Sequence, residues 1–508
     1  MHSQRSLLGG GEDSFKSASA SSEKIDSKAA VLEALDSIRS QLGDRDVAAF
    51  HICVTVAHAD NLEKVILPCV RKAYPKAVIH GLTSSAGVMT ECGVCMNEKT
   101  KAALSIFAMS DDHGDYIVVS GSKCDTETVK AKIMEATKDM ESPPSMILSA
   151  LSPGPGAEER VLKGIKHAFK GRKAPPVVGG SSADNDLSGA WRQFSTNEIS
   201  SSGYSLLLCW PTVDLYVRLV SLHNKTPKSG KITEIKGTRT IVKIDGKPAA
   251  SVYNEWTGGS ILESLGGEKL EGNVLGASTC FPLGKYANKF KDTKPSLIHP
   301  ANVYVVFERL VFRMLQSFHF FMFSIYVTQV RRVSFASLTH ALRKTHENPR
   351  SNSNSNITLK HRYENGNMDV FADVREGETL VCMNASKEQL IDSVEGVVSS
   401  GLKNSGFISE KDVYGALVIY CGGMMMKIGK HGVSRVAESI TKVLGEKTPW
   451  TGSFTFGEQG PVPHAASVGN GLVRRDTVTL DDGTDYTDGN VHGNLMFNVV
   501  ILGKTSLA

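Results

Sequence analysis

The chain has 508 residues, of which 41% are hydrophobic and 22% charged, a composition typical of a soluble globular protein with two or three domains. The formal net charge is +4, but residues 311–360 carry seven Lys or Arg against a single Glu, so the remaining chain is mildly acidic. This charge balance excludes the basic face of a nucleic-acid-binding protein. Nine cysteines, scattered mainly through apolar stretches, indicate free thiols and a reducing compartment, cytoplasmic or nuclear.

The first 45 residues predict a flexible tail followed by a helix. Residues 14–27 are rich in serine and include acidic residues, which argues against a signal or transit peptide and favours a flexible segment. Residues 28–42 place apolar side chains at helical spacing, namely Val31, Leu32, Leu35, Ile38 and Leu42.

A strand–helix–strand pattern then occurs three times, and each copy ends in a glycine-rich polar loop. The copies cover residues 47–80, 145–178 and 415–456, and their loops are residues 81–87, 179–184 and 457–461. In α/β sheets ligands bind at such strand ends, so the loops predict a binding site. The alternative is that the glycines serve only the tight turns.

The segments between these copies are mostly β. Residues 203–210 and 213–221 predict two adjacent strands of a hairpin, and residues 231–235 and 238–244 predict another hairpin. Residues 249–265 predict a helix. The predicted fold is therefore two-domain α/β, with strand–helix–strand units on mixed sheets and additional antiparallel strands. The predicted domains are residues 46–255 and 256–508.

The third loop carries the most specific candidate residues. Phe454 and Phe456 alternate with small residues as in a strand, and residues 457–461 (Gly-Glu-Gln-Gly-Pro) predict a tight turn at its end. His492-Gly493-Asn494 opens a second predicted strand, residues 495–502. These two segments could lie together at the opening of one binding site. The alternative is a turn with its hydrogen bonds formed, beside a core strand.

We expect the predicted site to bind a small polar ligand. Glu458 would hold a ligand ammonium group, while Ser181, Ser182 and Asn494 exchange hydrogen bonds with the ligand. The residues expected to orient these groups are Asp184, Gln459 and His492.

The sequence predicts no catalytic residue and no metal site. Cys92-Gly93-Val94-Cys95 is a tight cysteine pair that could be a redox dithiol or half of a zinc site, but no second pair stands at zinc-finger spacing. Serines, histidines and acids are frequent, yet none has the spacing of a nucleophile elbow or of metal ligands. We therefore favour a binding protein over an enzyme.

Residues 310–359 differ from their surroundings. Residues 318–327 are apolar but too few to span a bilayer, and a basic run and a Ser-Asn repeat follow. On either side, residues 303–309 and 363–374 predict strands that would join if the middle were absent. We interpret the segment as a translated intron or a lineage-specific loop, with an amphipathic membrane anchor as the alternative.

Taken in order, these motifs resemble the FIST family, whose members pair a FIST-N with a FIST-C domain. The resemblance covers roughly residues 45 to 503. It rests on residues 81–87, 178–184 and 245–249 in the first half, on residues 304–306, 373–377 and 417–423 in the second half, and most specifically on residues 454–461 and 492–494.

The resemblance implies a sensory or recognition module that binds a small, amino-acid-like ligand in intracellular signal transduction. Some bacterial relatives bind haem to sense nitric oxide, so a haem-based sensor is one alternative, although no axial ligand is assigned here. In eukaryotes the same pair follows an F-box in a substrate receptor of a ubiquitin ligase. Residues 1–45 show no F-box pattern. The other alternative is therefore substrate recognition for ubiquitin-ligase-mediated degradation through a protein partner, without an F-box of its own.

Overall fold

The computed structural model of the protein describes residues 14–172, 174–285, 295–305, 366–407, 410–461 and 489–504. Within these residues the chain forms a mixed α/β fold with four sheets, which confirms the predicted fold class. Three of the sheets come from three successive copies of one unit, and the fourth is inserted into the third copy. No helix in the described ranges is long and apolar enough to cross a membrane.

The first unit runs from residue 15 to residue 111. Its first helix begins where the Asp26 carboxylate accepts the backbone N–H of Ala29 (2.7 Å) and ends at Gly43, whose φ of 66° favours glycine. The elements in chain order are β1 (Phe15–Ser22), α1 (Ser27–Leu42), β2 (Ala49–Val54), α2 (Leu67–Ala73, after a 3-10 turn Val56–Asn61 and a π-helical turn Leu62–Ile66), β3 (Val78–Thr83), β4 (Val88–Thr90), β5 (Gly93–Cys95) and β6 (Leu104–Asp111).

The second unit repeats this order from residue 115 to residue 210. Its first helix is capped in the same way, since the Asp125 carboxylate accepts the backbone N–H of Thr128 (2.8 Å). The elements are β7 (Asp115–Gly121), α3 (Thr126–Ala136), β8 (Met146–Leu151), α4 (Ala157–Ala168), β9 (Val177–Ser181), β10 (Gln193–Ser195), β11 (Ile199–Ser200) and β12 (Tyr204–Trp210).

The third unit begins with β13 (Asp214–Ser221) and is then interrupted by the inserted layer. This layer comprises β14 (Asn224–Lys236), β15 (Thr240–Ile244), β16 (Lys247–Pro248), α5 (Ala249–Trp256), α6 (Ser260–Ser264), β17 (Gly272–Asn273), α7 (Leu275–Ser278), β18 (Leu283–Lys285), β19 (Ser296–Ile298), β20 (Pro300–Val305), β21 (Gly366–Val370) and β22 (Thr379–Asn384). The unit resumes with α8 (Lys387–Ser405), β23 (Val413–Cys421), α9 (Gly422–Leu444, kinked at Gly429), β24 (Trp450–Thr455), β25 (Glu458–Pro461), β26 (Asn490–Gly493) and β27 (Met496–Gly503).

The three six-stranded sheets share one strand order, and the units exchange hairpins to complete it. The orders are β1-β6-β2-β3-β10-β11, β7-β12-β8-β9-β25-β26 and β13-β27-β23-β24-β4-β5. The central pair of each sheet is parallel, which confirms the three strand–helix–strand copies. The outer hairpin of each sheet always comes from another unit: β4–β5 joins the third sheet, β10–β11 the first and β25–β26 the second.

Three backbone hydrogen bonds close this exchange into a ring at the strand ends. Ala183 N–H donates to the carbonyl of Thr83 (2.8 Å), which links the second unit to the first. Ser85 N–H donates to the carbonyl of Phe454 (3.0 Å), and Phe456 N–H donates to the carbonyl of Ser181 (3.0 Å). The strand ends of all three units therefore lie at one place.

The core is layered around this ring. A central apolar cluster lies where the three sheets face one another and includes Phe107, Leu148 and Val500. On the outer face of each sheet, its own two helices cover a second cluster, and the inserted layer has a core of its own. Strands from both sides of the predicted boundary at residue 255 share two of the three sheets.

The predicted flexible tail is wrong over residues 15–22, which form β1 and pair with β6 along its full length. Serine composition suggested a solvated linker, but the hydroxyls find distant partners. Ser17 donates to the carbonyl of Tyr414, and Ser19 donates to the Glu91 carboxylate (2.5 Å). Burial of these satisfied hydroxyls makes a serine-rich strand stable at this edge. Residues 1–13 lie outside the described ranges.

Two further local predictions are wrong. Tyr204–Trp210 and Asp214–Ser221 do not form a hairpin, because the first pairs with β8 and the second with β27 in another sheet. Thr212 turns the chain between these sheets by donating its N–H and hydroxyl to Asp111 (3.0 and 2.7 Å). The predicted turn at residues 457–461 is mostly strand β25, whose backbone pairs with β9 and β26.

The strands that flank the unusual segment do meet. Pro300–Val305 and Gly366–Val370 pair antiparallel, with Val305 opposite Gly366. A short connection would be enough to join these two strands, as the sequence predicted. Residues 310–359 lie outside the described ranges, and their origin stays a prediction.

Glycine is required where β9 meets its neighbours. A Cβ on Gly179 would lie 2.0 Å from the backbone oxygen of Ser149, whereas a Cβ on Gly396, within α8, would meet nothing within 4 Å. We expect Gly179→Ala to lower the free energy of unfolding by about 1–3 kcal/mol through overpacking. Gly396→Ala, the matched control, should raise it by up to about 1 kcal/mol. Urea denaturation measures both, and equal effects of the two changes would contradict this account.

Two histidines make the fold sensitive to acid. The rings of His51 and His80 stack at 5.3 Å inside the core, and burial lowers the pKa of His51 to about 4. The unfolded chain therefore binds more protons between pH 6.5 and pH 4, so stability is full above this window and falls as pH decreases through it.

We expect His51 alone to cost the wild-type protein about 2 kcal/mol of unfolding free energy between pH 7 and pH 5. Urea denaturation at both pH values should show a smaller loss in His51→Gln, because this histidine then no longer titrates. His113→Gln, at an exposed position, is the control and should keep the wild-type loss. An unchanged loss in His51→Gln would count against the prediction.

Candidate functional site

A cavity of about 1210 Å³ opens at the carboxyl ends of β8, β9, β23 and β24. It is enclosed by segments from the second unit, the third unit and the inserted layer. The main lining segments are residues 153–155, 185–187, 273–277 and 369–371. This is the end of the strands where ligands bind in α/β sheets.

Apolar and aromatic side chains form most of the cavity wall. Trp191 and Phe456 meet edge to face at 6.2 Å, and Phe371 packs similarly against His299 at 6.0 Å. Leu187 and Met426, which also line the cavity, are 50% and 57% exposed. Large apolar side chains exposed together around a concavity are typical of a binding surface.

Asp184, a predicted site residue, holds one side of the cavity rather than facing it. Its buried carboxylate accepts the backbone N–H groups of Leu187 (2.7 Å), Gly189 (2.7 Å) and Ala190 (3.0 Å). These bonds keep Leu187 at a φ of 63°, which is unusual for a residue other than glycine. Asp184 therefore fixes the loop that presents residues 185–187 to the cavity.

Glu458 lies fully buried beneath the cavity wall. Its carboxyl group accepts the Thr455 hydroxyl (2.8 Å) and the backbone N–H of Met496 (3.0 Å). Burial raises the pKa of Glu458 to about 8. A neutral carboxyl group with these partners does not suit the predicted contact with a ligand ammonium.

Gln459, Ser181 and Ser182 are also buried below the cavity. The Gln459 amide accepts the Ser149 hydroxyl (3.2 Å) and donates to the Ser181 oxygen (3.1 Å), and the Ser181 hydroxyl donates to Glu158 (3.1 Å). The Ser182 hydroxyl is buried without a hydrogen-bond partner among the described residues. This chain connects the β25 hairpin to the first turn of α4.

A charged cluster adjoins the cavity. His492 faces Glu159 through Nδ1 (3.1 Å) and Glu158 through Nε2 (3.8 Å). Arg239 binds Glu158 (3.3 Å) and Glu159 (3.2 Å) through Nη2 and Asp373 (2.8 Å) through Nε. The cluster therefore joins α4, the β26 hairpin and the inserted layer.

The cluster shifts the pKa values of its members. Burial raises the pKa of Glu158. Burial alone would lower the pKa of His492, but Glu158 and Glu159 raise it above its ordinary value. Burial opposes ionisation of Glu159, yet His492 and Arg239 hold its pKa well below the usual range.

Asn494 is the one predicted site residue whose side chain lines the cavity. Its amide donates to the carbonyl of Phe456 and accepts the backbone N–H of His299, both at 3.4 Å. The structure thus brings the predicted residues to one region but places the other six behind the wall. Their role as ligand-binding residues stays a prediction.

The sequence did not identify the side chains that face the cavity. Trp191, Arg239 and Phe371 come from loops far apart in the chain, and Lys427 comes from α9. The Gly-Pro turn at residues 154–155 lines the same cavity. Its position directly before α4 was the available signal.

Three buried histidines, His80, His299 and His492, are not placed as axial haem ligands, and haem binding stays a prediction. His80 and His492 are enclosed, and a Cβ on Gly457 would lie only 2.4 Å from His492 Nε2. In the cavity, His299 Nε2 faces the carbonyl of Leu275 (3.1 Å), so this nitrogen carries a proton and offers no lone pair.

Two protein-family models match the chain. Residues 49–247 match the FIST N domain and residues 336–461 match the FIST C domain. The second match begins inside the segment 310–359, whose composition differs from that of its surroundings. No curated protein matches the chain. With both domains present in this order, the chain belongs to the FIST family, as its motifs indicated.

Proposed function

We propose that this protein is a non-catalytic sensory module that binds a small amphipathic, amino-acid-like ligand and acts in intracellular signal transduction. The observation that carries the proposal is the cavity of about 1210 Å³ at the strand ends, between the second unit, the third unit and the inserted layer. It exceeds what a single small amino acid needs, so the ligand carries a sizeable apolar or aromatic body in addition to its charged groups.

The lining supports a ligand with charges of both signs. Asp186 and Asp369 offer carboxylates, and Lys427 offers a cation. Lys427 donates to the carbonyl of Gly276 (3.1 Å), which holds its ammonium group at the wall. The apolar walls between these groups contribute most of the contact area with the ligand, and the few polar groups fix the orientation of the ligand.

The reactive groups at the cavity favour binding over catalysis. Cys421 lines the cavity, but burial and the neighbouring Glu458 raise the pKa of its thiol far above the ordinary value. Burial lowers the pKa of His299 to about 4, and its Nε2 proton is held by a carbonyl. A protonated thiol and an imidazole of this kind lack the activation that a nucleophile and its base need.

Mutation of Trp191 tests whether the cavity is the ligand-binding site. Differential scanning fluorimetry of the full chain against amino acids and aromatic amino-acid derivatives should give a ligand that raises the melting temperature, since a hundredfold excess over Kd stabilises by about 2.7 kcal/mol. We expect Trp191→Ala to weaken this ligand about tenfold or more, because the mutation removes an aromatic wall.

Trp210→Ala is the matched control. Trp191 and Trp210 are both half-buried, and each donates its indole N–H to a backbone carbonyl (3.0 and 2.9 Å), but Trp210 lies away from the cavity. Equal weakening by both mutations, or no stabilising ligand in the panel, would contradict the proposed function. In the second case, affinity capture would test for a protein partner.

Mutations of Glu458 distinguish a structural role of this residue from direct contact with the ligand. Because its carboxyl group is buried and largely neutral near pH 7, Glu458→Gln should retain the fold and the ligand affinity. Glu458→Ala should lower the free energy of unfolding by about 2–4 kcal/mol through the lost hydrogen bonds and the cavity. Urea denaturation and calorimetric titration measure the two effects. A large loss of affinity in a stable Glu458→Gln protein would show that the carboxylate itself binds the ligand.

A further inference from the structure

A buried histidine lies between two carboxylates where the hairpin of the third unit enters the second sheet. His492 stands on β26, and its side chain is only 1% exposed. Its Nδ1 faces Glu159 Oε1 at 3.1 Å, and its Nε2 faces Glu158 Oε1 at 3.8 Å. Both glutamates belong to the first turn of α4. The imidazole therefore joins the incoming hairpin to a helix of the unit that receives it.

The surroundings of the two ring nitrogens favour the charged form of this imidazole. An ionised carboxylate only accepts hydrogen bonds, so Nδ1 donates its proton to Glu159. Glu158 Oε1 already accepts the Ser181 hydroxyl (3.1 Å), and Nε2 has no hydrogen-bond partner among the described residues. Without a proton, Nε2 would turn a lone pair towards this carboxylate oxygen. With a proton, the imidazolium attracts both glutamates, and its contact with Glu158 is an ion pair too long for a hydrogen bond.

The other charged groups near His492 act on it in both directions. They are Glu158 and Glu159 on α4, Arg239 and, through Arg239, Asp373 from the inserted layer, and Glu458 on β25. β19 (Ser296–Ile298), which also packs against β26, has no titratable side chain. Burial and Arg239 lower the pKa of His492, but Glu158 and Glu159 outweigh them and raise it above its ordinary value.

These charges determine the sign of the pH dependence. The pKa of His492 is near 6.5 in the unfolded chain and higher in the folded chain, so the folded chain binds more protons between these two values. The stabilisation by protonated His492 is therefore full below pH 6.5 and is lost as pH rises through the folded pKa. The same sign holds for a local opening that exposes the imidazole to water.

We propose that His492 is a pH-sensitive latch, which holds the β25–β26 hairpin against Glu158 and Glu159 while its imidazole is protonated and releases the hairpin as pH rises. Release alters the cavity, because the cavity wall includes Glu158 at the latch, Phe456 just before β25 and Asn494 just after β26. The latch does not depend on the ligand proposed above.

The exchanged hairpins provide a comparison within one molecule. β10–β11 enters the first sheet and β4–β5 enters the third sheet, and neither residues 193–200 nor residues 88–95 include a histidine. Only the hairpin in the second sheet, among these three, carries an imidazole to a pair of carboxylates. We therefore expect loss of a proton above pH 6.5 to loosen β25–β26 and to leave β10–β11 in place.

NMR titration of the full chain, labelled at its histidines, tests the protonation of His492 directly. The imidazole Cε1–H signal that is missing in His492→Gln belongs to His492. We expect its titration midpoint to lie above pH 6.5, because two carboxylates face the ring. A midpoint at or below pH 6.5 would overturn the proposal.

Hydrogen exchange of the full chain at pH 6.5 and pH 8.5, corrected for the intrinsic exchange rates, tests the release. Protection of β25–β26 should fall about threefold or more between the two pH values, whereas protection of β10–β11 should not change. His492→Gln should reduce this fall. The remainder is due to Glu458, since burial raises its pKa to about 8, so the double variant His492→Gln with Glu458→Gln should show no fall.

His223→Gln is the matched control for the histidine substitution. His223 is also buried and has one unpartnered ring nitrogen, but its other nitrogen faces a backbone carbonyl (2.8 Å) and not a carboxylate. This variant should keep the wild-type loss of protection. Equal loss of protection in both hairpins, or an unchanged loss in folded His492→Gln, would overturn the latch.

A second variant keeps the test decisive if circular dichroism shows that His492→Gln does not fold. Glu159→Gln removes one of the two carboxylates at a side chain that is 31% exposed. It should lower the titration midpoint of His492, which then identifies the His492 signal, and should reduce the pH dependence of β25–β26 protection. An unchanged set of midpoints together with unchanged pH dependence in this variant would equally overturn the proposal.

Discussion

The exchange of hairpins among the three units is the constraint on which the rest of the structure depends. Each six-stranded sheet is completed by two strands from another unit, and three backbone hydrogen bonds close the cycle. A unit that lost its incoming hairpin would expose a long, apolar strand edge, which is unfavourable in water and prone to association. The three units therefore stabilise one another, and the strand ends are held together by the backbone.

This exchange explains why conspicuous polar residues of the third loop are buried. The hairpin that carries Glu458 and Gln459 enters the second sheet and pairs with Gly179 and Gly180, where only glycine permits the close approach. Polar side chains at such a junction must form hydrogen bonds within the protein, and the side chains of Glu458 and Gln459 both do so. They support the cavity wall from behind, and other side chains form the surface of the cavity.

The sequence predicted what local patterns determine. Hydrophobic periodicity identified the parallel pairs, and the glycine-rich loops of the second and third copies marked the strand ends that lie at the cavity. It could not show the hairpin exchange, because pairing between units leaves no trace in local periodicity. Tyr204–Trp210 and Asp214–Ser221 illustrate the limit, since two strands with a short link look the same in one sheet or in two. Lining residues such as Trp191 and Phe371 come together only through pairing between distant segments and were missed for the same reason.

Arg239 connects the parts of the molecule that surround the cavity. It precedes β15 of the inserted layer, binds two glutamates of the second unit, and also binds Asp373. His492, from the third unit, reaches the same glutamates. Separating the members of such a buried network would leave charges buried without a partner, which is costly, so the network favours one relative placement of the three parts. Because Glu158 and Arg239 belong both to this network and to the cavity wall, the charge state of the cluster and the shape of the cavity are set by the same side chains.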